Sequence, residues 1–344
     1  MTVDIQHLDI FQLSRPQISL PDDPSSPPSE GRTLTLGPRA HAITCTSEVP
    51  DQVTALVEAS IAENTRRAYR SDLAQFAAWG GQLPADPAVV ASYLAAHAET
   101  LSVATLVRRI ATISKAHEAR GLLNPCRSEI VRATLRGIKR TRGIAHREAK
   151  PLLREDLFRV LDAMREGVKD ARDRALLLIG FAGGFRRSEL VGLDCLDIER
   201  VRQGLIVMLR HSKTDQEGVG RKIGIPFGRT RHCPVLALDR WLTISAIETG
   251  AVFRPVDRHG RIAAGRLSGE AVSLVVKERV AAAGIDPTGF SGHSLRAGFA
   301  TSAAQAGVST LKIRAQTGHA SDAMLSRYVR DGEIFVGNAA GILL

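Results

Sequence analysis

The chain has 344 residues, with 46 lysines and arginines against 36 acidic residues, for a formal net charge of +10. That length holds two ordinary domains, each with its own core, and the basic balance points to a polyanionic partner, nucleic acid above all. No stretch approaches the roughly 18 unbroken apolar residues of a membrane span, and Asp4 and Asp9 interrupt any basic-then-apolar leader, so cytoplasmic residence beside the nucleoid is expected.

The first 50 residues carry Pro16, Pro21, Pro24, Pro27, Pro28 and Pro38 with Ser25, Ser26 and Ser29 among them. Such a composition predicts an extended or disordered segment. Helical periodicity governs 51–140. Asn64 or Thr65 is placed to cap a helix whose Tyr69, Leu73 and Phe76 share a face, stopped by Gly80, Gly81 and Pro84. Pro87 opens a second helix, to about His97. Ser102 caps a third that presents Leu106, Ile110, Ile113 and His117 inward. A fourth begins near Ser128, with Ile130, Val131, Leu135 and Ile138 inward. The run from Lys139 to Pro151 is charged and has almost nothing to bury. Its core, 141–151, reads as an interdomain linker, either a solvated loop or a basic strap along a phosphate backbone.

The remainder, 152–344, is mostly helical. Helices are expected around Glu155–Met164, Ala175–Phe181, Val235–Ile247, Gly269–Ala283, Leu295–Gln305 and Thr310–Gln316, with one more carrying Tyr328. Leu205–Leu209 and Lys222–Ile225 flank a polar, glycine-containing stretch and read as a β-hairpin. The expected fold class is mainly α with a small antiparallel β-sheet. Cys45, Cys126, Cys195 and Cys233 are widely spaced, without metal-ligand pattern, and are expected to be reduced thiols. Neither metal nor cofactor is expected.

Three short strings carry chemistry: Gly184-Phe185-Arg186-Arg187-Ser188-Glu189-Leu190, His293-Ser294-Leu295-Arg296, and Gly318-His319 followed by Tyr328. They supply what metal-free attack on a phosphodiester needs. Arg186 and Arg296 are permanently charged forks for the non-bridging oxygens. One such cation at contact distance is worth about 4 kcal/mol at an effective dielectric near 20, before desolvation is subtracted. Tyr328 offers a nucleophilic phenol and His293 an acceptor for its proton. Lys213, at the predicted hairpin tip, can protonate a leaving oxygen as arginine cannot. Each has a plainer alternative: an Arg186–Glu189 surface ion pair three residues apart, a core tyrosine, an ordinary turn lysine. His319 and Tyr328, nine residues apart, would lie on opposite faces of one straight helix, about 13.5 Å apart along its axis. Their convergence demands a break, which Ala320-Ser321-Asp322 is suited to supply.

In these residues the chain resembles the tyrosine recombinases, the phage-integrase family, in its Cre- or Xer-like form. The resemblance spans about 51–344. It rests on Arg186 with Glu189, Leu190, Gly192 and Leu193; on Lys213-Thr214; on His293 and Arg296; and on Gly318-His319 and Tyr328. Asn64-Thr65-Arg66-Arg67-Ala68-Tyr69 resembles the start of the family's helical core-binding domain.

The resemblance implies a SAM-like helical DNA-binding domain over 51–140 and a catalytic domain of the DNA breaking-rejoining fold, closing on double-stranded DNA as a clamp. It implies cleavage by Tyr328 to a 3′-phosphotyrosine and exchange through a Holliday junction in a homo-tetramer, with no cofactor. Arg186, Arg296, His293 and His319 would hold the phosphate, Lys213 would protonate the leaving oxygen, and Glu189 would support the site. Arg66, Arg67, Arg108, Arg109, Lys139, Arg140 and Arg142 are the candidate DNA-contacting cations. The apolar tail from Ile334 to Leu344 is expected either to fold on its own core or, as the resemblance implies, to dock into a neighbouring protomer.

The sequence departs from the family pattern at Phe185, at Thr317 before Gly318-His319, and at Ala297-Gly298 after Arg296. Two rivals remain: a type IB topoisomerase of similar chemistry, and a non-enzymatic DNA-binding regulator. The head before residue 50 does not read as a strand-rich arm-binding domain of the lambda-integrase kind.

Overall fold

A computed structural model describes residues 60–143, 149–210, 220–319 and 321–333, together with Gln52, Leu56 and Leu343. The expectations for the first 50 residues, for the hairpin tip with Lys213, and for the tail 334–342 and 344 lie outside the described residues. The chain divides into two compact units, Met1–His146 and Arg147–Leu344. No helix among the described residues is long and apolar enough to cross a membrane.

The first unit holds α1 (Glu63–Ala78), α2 (Pro87–Ala96), α3 (Val103–Glu118) and α4 (Glu129–Arg142). Neither Asn64 nor Thr65 caps α1. The helix starts earlier, at Glu63, without a side-chain cap, and Glu63 instead meets the positive end of the helix dipole. Gly81 ends the turn after α1 because a Cβ there would stand 2.4 Å from the Phe76 ring. Pro87 occupies the first turn of α2, and the Ser102 Oγ accepts the Thr105 N–H at 3.2 Å to cap α3.

Phe76, Val90, Tyr93, Leu94, Leu106, Ile113, Val131 and Ile138 form the core between these helices. His117 is buried with both ring nitrogens bonded: Nδ1 lies 2.8 Å from the Ile113 carbonyl and Nε2 accepts the Ala85 N–H at 3.0 Å. It is therefore a structural histidine, and burial lowers its pKa. Ile130 departs from expectation, being 52% exposed. The inward stripe of α4 is Val131, Leu135 and Ile138, spaced four and three residues, and Ile130 sits one position, about 100°, off it. The helix also continues through Lys139 and Arg140 to Arg142, residues of the charged run; cations suit its last turn, and Gly143 at φ +71° ends it.

The second unit runs α5 (Arg154–Asp162), α6 (Val168–Ala182), α7 (Arg187–Gly192), β1 (Ile198–Val201), β2 (Gly204–Leu209), β3 (Arg221–Pro226), α8 (Pro234–Ser245), α9 (Gly269–Ala282), α10 (Ser294–Gln305), α11 (Thr310–Thr317) and α12 (Asp322–Glu333). The architecture is mainly helical, with one small antiparallel sheet of order β1-β2-β3. Val207 pairs with Ile198 on one side and Ile223 on the other. Leu205, Val207 and Leu209 alternate inward beside Ile223 and Ile225, which is the period-two pattern that identified the hairpin.

Helix α6 is the centre of this core. Leu176, Leu177 and Ile179 are fully buried, and α8 packs along the helix with Leu238 and Trp241, whose indole N–H donates to the Val252 carbonyl at 2.8 Å. The second half of α6, 175–182, is apolar on nearly all sides and belongs in the middle of a unit.

The segment at the start of this unit is tied to α10. The Lys150 N–H donates to the Gly289 carbonyl at 2.9 Å and the Leu152 N–H to the Ser294 carbonyl at 3.0 Å. Gly298 makes that approach feasible: a Cβ on it would lie 1.8 Å from the Leu152 oxygen and 2.5 Å from its carbonyl carbon. The departure at Gly298 thus has a packing reason. Gly298→Ala should destabilise the second unit by about 1–3 kcal/mol, the usual cost of overpacking against atoms that cannot swing aside. Urea denaturation would show it as a lowered midpoint, and an unchanged midpoint would mean that residues 150–152 yield freely.

Candidate active site

Five elements bring the charged groups together: the turn between α6 and α7, the start of β3, the start of α10, the end of α11, and α12. After α6 the chain reverses at Gly183 and Gly184. Gly184 adopts φ +58°, and a Cβ there would crowd the Thr317 methyl at 2.9 Å. Phe185 is buried, and Arg186 becomes the N-cap of α7. Glu189 accepts the Arg186 backbone N–H at 2.9 Å and its Nη1 at 2.6 Å. The ion pair read from the spacing is present, but inside rather than on the surface: the Glu189 side chain is 2% exposed and that of Arg186 16%. Arg186 Nη2 donates onward to the Gly318 carbonyl at 3.2 Å.

Arg296 sits in the first turn of α10 and is 1% exposed. Its Nη1 donates to the carbonyls of Gly184, at 2.8 Å, and Thr317. Burial, then the positive charge of Arg186, pushes its pKa down to about 10, partly offset by Glu189. It is still a cation at neutral pH.

Arg221, at the start of β3, is a third guanidinium in this cluster. It donates to the carbonyls of Gln316 and Thr317 at 3.1 Å each and lies 3.6 Å from Glu189. Gln316 fastens the same helix end through its side-chain amide, to the carbonyls of Ala182 at 2.9 Å and Gly224 at 3.0 Å.

The expected break between His319 and Tyr328 is there. Helix α11 stops at Thr317, Gly318 turns left-handed at φ +66°, and α12 begins at Asp322. The stop therefore comes from Gly318, two residues before the stretch expected to supply it. As a result the His319 and Tyr328 ring centres are 5.7 Å apart. His293, the N-cap of α10, places Nε2 2.7 Å from the Tyr328 hydroxyl.

His319 is buried, with Nδ1 2.7 Å from the Thr317 Oγ. Burial first, then the charges of Arg296, Arg186, His293 and Arg221, lowers its pKa to about 3, so its ring is neutral at physiological pH. The arrangement offers a phenol beside a proton acceptor and a set of fixed cations, with Glu189 as their buried counter-charge. Such a pocket suits an anion that gains charge as it reacts.

Arg186, Glu189, His293, Arg296, His319 and Tyr328 are thus brought together, while Lys213 lies outside the described residues. Arg221 was not foreseen. No local pattern marks it, because its partners Gln316 and Thr317 lie far along the chain.

The cations named for DNA contact divide. Arg67 and Arg140 are exposed. Lys139 is half-buried in the last turn of α4. Arg66 pairs with Glu63 at 2.7 Å, and Arg142 folds back onto the carbonyls of Ala98 and Leu101. Arg109 is a correction. It is 8% exposed, donates to the Tyr93 hydroxyl, and its Nε stands 3.7 Å from the buried Asp72. Arg108 grips the same carboxylate through two bonds of 2.8 Å, with Thr112 adding a third at 3.1 Å. A carboxylate this deep needs such partners, so Arg109 serves the core of its unit.

The family model for the phage integrase family matches residues 150–333. The integrase/recombinase XerD homolog of Selenomonas ruminantium is 40% identical over 293 residues, which covers 82% of this chain and 86% of that protein. Among solved structures, the XerH site-specific recombinase bound to its palindromic difH substrate superposes with a TM-score of 0.61 at 18% identity, over 85% of this chain and 83% of that one. A lambda integrase tetramer bound to a Holliday junction gives 0.55 at 18% identity, over 78% and 75%. At such identities these structures share the fold.

Arg221 also yields a stability test. Arg221→Met keeps the apolar stem and removes the bonds to the end of α11 and the pairing with Glu189. The second unit should lose about 1–3 kcal/mol, the scale for hydrogen bonds to charged groups. A urea midpoint equal to that of the parent protein would show that these contacts contribute nothing net.

Proposed function

The chain belongs to the phage integrase family and is a tyrosine-type site-specific DNA recombinase, and on that premise we propose that Tyr328 is its nucleophile. The phenol oxygen attacks a backbone phosphorus of double-stranded DNA, the bond to the 5′ oxygen breaks, and the phosphate stays on the enzyme as a 3′-phosphotyrosine. The phenolic proton passes to His293, and the leaving 5′ oxygen takes one from the Lys213 ammonium. Rejoining runs the same steps backwards: a 5′-hydroxyl of the exchanged strand attacks the phosphotyrosine and the phenol leaves with a proton. Bond energy is retained in the phosphotyrosine throughout.

The observation that carries this reading is the 2.7 Å contact between His293 Nε2 and the Tyr328 hydroxyl, beside the Arg186 and Arg296 guanidiniums. An ordinary phenol titrates near 10, so attack at neutral pH needs both a base within reach and cations that stabilise developing charge. Arg186 and Arg296 take the non-bridging oxygens, His319 adds a contact from the ring side, and Glu189 fixes Arg186. The helical unit serves as the second DNA-binding domain, with Arg66, Arg67, Lys139, Arg140 and Arg142 on phosphates and 141–151 as the link. Exchange through a Holliday junction in a homo-tetramer, with the tail from Ile334 passed between protomers, completes the reading, which places the activity on cytoplasmic DNA. The identity to a recombinase along most of the chain favours this over a topoisomerase or a regulator.

Two experiments test the roles. Tyr328→Phe should bind DNA as the parent does and form no covalent adduct; an adduct in that variant removes Tyr328 from the mechanism. Lys213→Ala should slow cleavage of normal DNA by about 10²–10⁴-fold, the usual contribution of a positioned proton donor. Most of that loss should vanish when the leaving oxygen is replaced by sulfur, which departs without a proton. Absence of rescue would assign the lysine another task.

A further inference from the structure

Thr317 stands between two partners. Its Oγ is 2.7 Å from the Ile313 carbonyl and 2.7 Å from His319 Nδ1. A hydroxyl has one proton to give and can accept in return. A carbonyl only accepts, so the contact to Ile313 uses the hydroxyl proton, and the contact to His319 then requires Nδ1 to be the donor. This arrangement, Nδ1–H to Oγ–H to carbonyl, makes two hydrogen bonds in a row, each polarising the other. The opposite tautomer turns the hydroxyl towards Nδ1 and forfeits the bond to Ile313. All of this happens at buried positions, where Thr317 is 0% and His319 6% exposed, and a lost bond is costly there.

We propose, resting on the phosphate-binding role given to His319 above, that Thr317 is a positioning residue: its hydroxyl holds the imidazole in the Nδ1–H form, so that Nε2 meets the scissile phosphate only after taking up a proton. With Nδ1 committed, a neutral ring would present a lone pair to a phosphate oxygen, which is repulsive. The doubly protonated ring presents a charged donor. The surroundings set the balance. Arg186 before α7, Arg221 on β3, His293 and Arg296 on α10 and Arg314 on α11, which donates to the His319 carbonyl at 3.1 Å, oppose the second proton. Glu189 on α7 and an incoming phosphate favour it, while the Tyr328 phenol on α12 is uncharged. The DNA-free protein therefore keeps His319 neutral, consistent with its strongly lowered pKa, and the negative charge of the arriving backbone lets the ring take up a proton from solvent.

The test has two arms. In the DNA-free protein, nitrogen-15 spectra of labelled histidine, assigned with His319→Gln, should show His319 as the Nδ1–H tautomer. Thr317→Val, similar in shape and without the hydroxyl, should give a mixture of tautomers, and Thr317→Ser should restore the single form. Finding the Nε2–H tautomer in the parent protein overturns the proposal, whatever the variants do. The second arm uses a duplex carrying a site recovered from cells as a covalent adduct, with single-turnover cleavage measured across pH. The parent should lose rate towards alkaline pH as His319 deprotonates. In Thr317→Val that fall should move to higher pH, because a neutral Nε2–H ring can then donate, and Thr317→Ser should return it. An alkaline fall identical in Thr317→Val and the parent overturns the proposal. If instead the parent forms no adduct at Tyr328, the mechanism above fails, and the tautomer spectra still decide the role of Thr317.

Discussion

The carbonyl end of α11 holds the site together. Arg186 donates to Gly318, Arg221 to Gln316 and Thr317, and Arg296 to Thr317. Three guanidiniums gathered this closely repel one another, and burial removes the water that would screen them. The last carbonyls of a helix lack intrahelical partners and carry the negative end of its dipole, so they take the cations at the point where unpaired acceptors are already present. Glu189 adds the one full negative charge named within the cluster. Burial, reinforced by the remaining excess of positive charge, pushes the Arg296 pKa down to about 10 and that of His319 to about 3. A site left short of negative charge in this way is prepared for an anionic backbone.

The same helix end dictates the geometry of the phenol. Gly318 is left-handed, and an added Cβ would sit 2.5 Å from the Arg221 guanidinium carbon. One residue thus ends α11, lets Arg221 reach the carbonyls, and turns the chain so that α12 packs back along α10. Without that turn His319 and Tyr328 would face opposite ways on one rod. Binding of the cations and placement of the nucleophile are therefore outcomes of one backbone decision.

Much of this was legible in the sequence, for reasons that differ by element. Period-two alternation in 205–209 and 222–225 marked the hairpin, while β1, Ile198–Val201, escaped because its inner residues Glu199 and Arg200 are exposed and four residues are too few for a period. The resemblance to the family marked Arg186, His293, Arg296, His319 and Tyr328 as a set, and the required break before Tyr328 followed from helix geometry. What sequence could not distinguish was a cation for solvent or DNA from a cation for a buried carboxylate. Arg108 and Arg109 look alike and both reach Asp72, 36 and 37 residues upstream, but Arg109 is also buried against Tyr93, and no local pattern records that. Arg221 was missed for the same reason: its partners lie in α11, far along the chain.

The position of the Tyr328 hydroxyl bears on how a recombinase of this kind divides labour between copies. Its 2.7 Å contact is to His293 of its own chain, and Tyr328 packs within its own unit beside Ala300, Ala304, Ile313 and Leu325. Under the proposed mechanism the phosphate is then attacked by the protomer whose arginines hold it, in cis, without lending a tyrosine to a neighbour. Arg221 and Gln316 both tie β3 to the end of α11, so that strand and the cations share one anchorage. Tyr328 and His293 take no part in the bonds that make that anchorage.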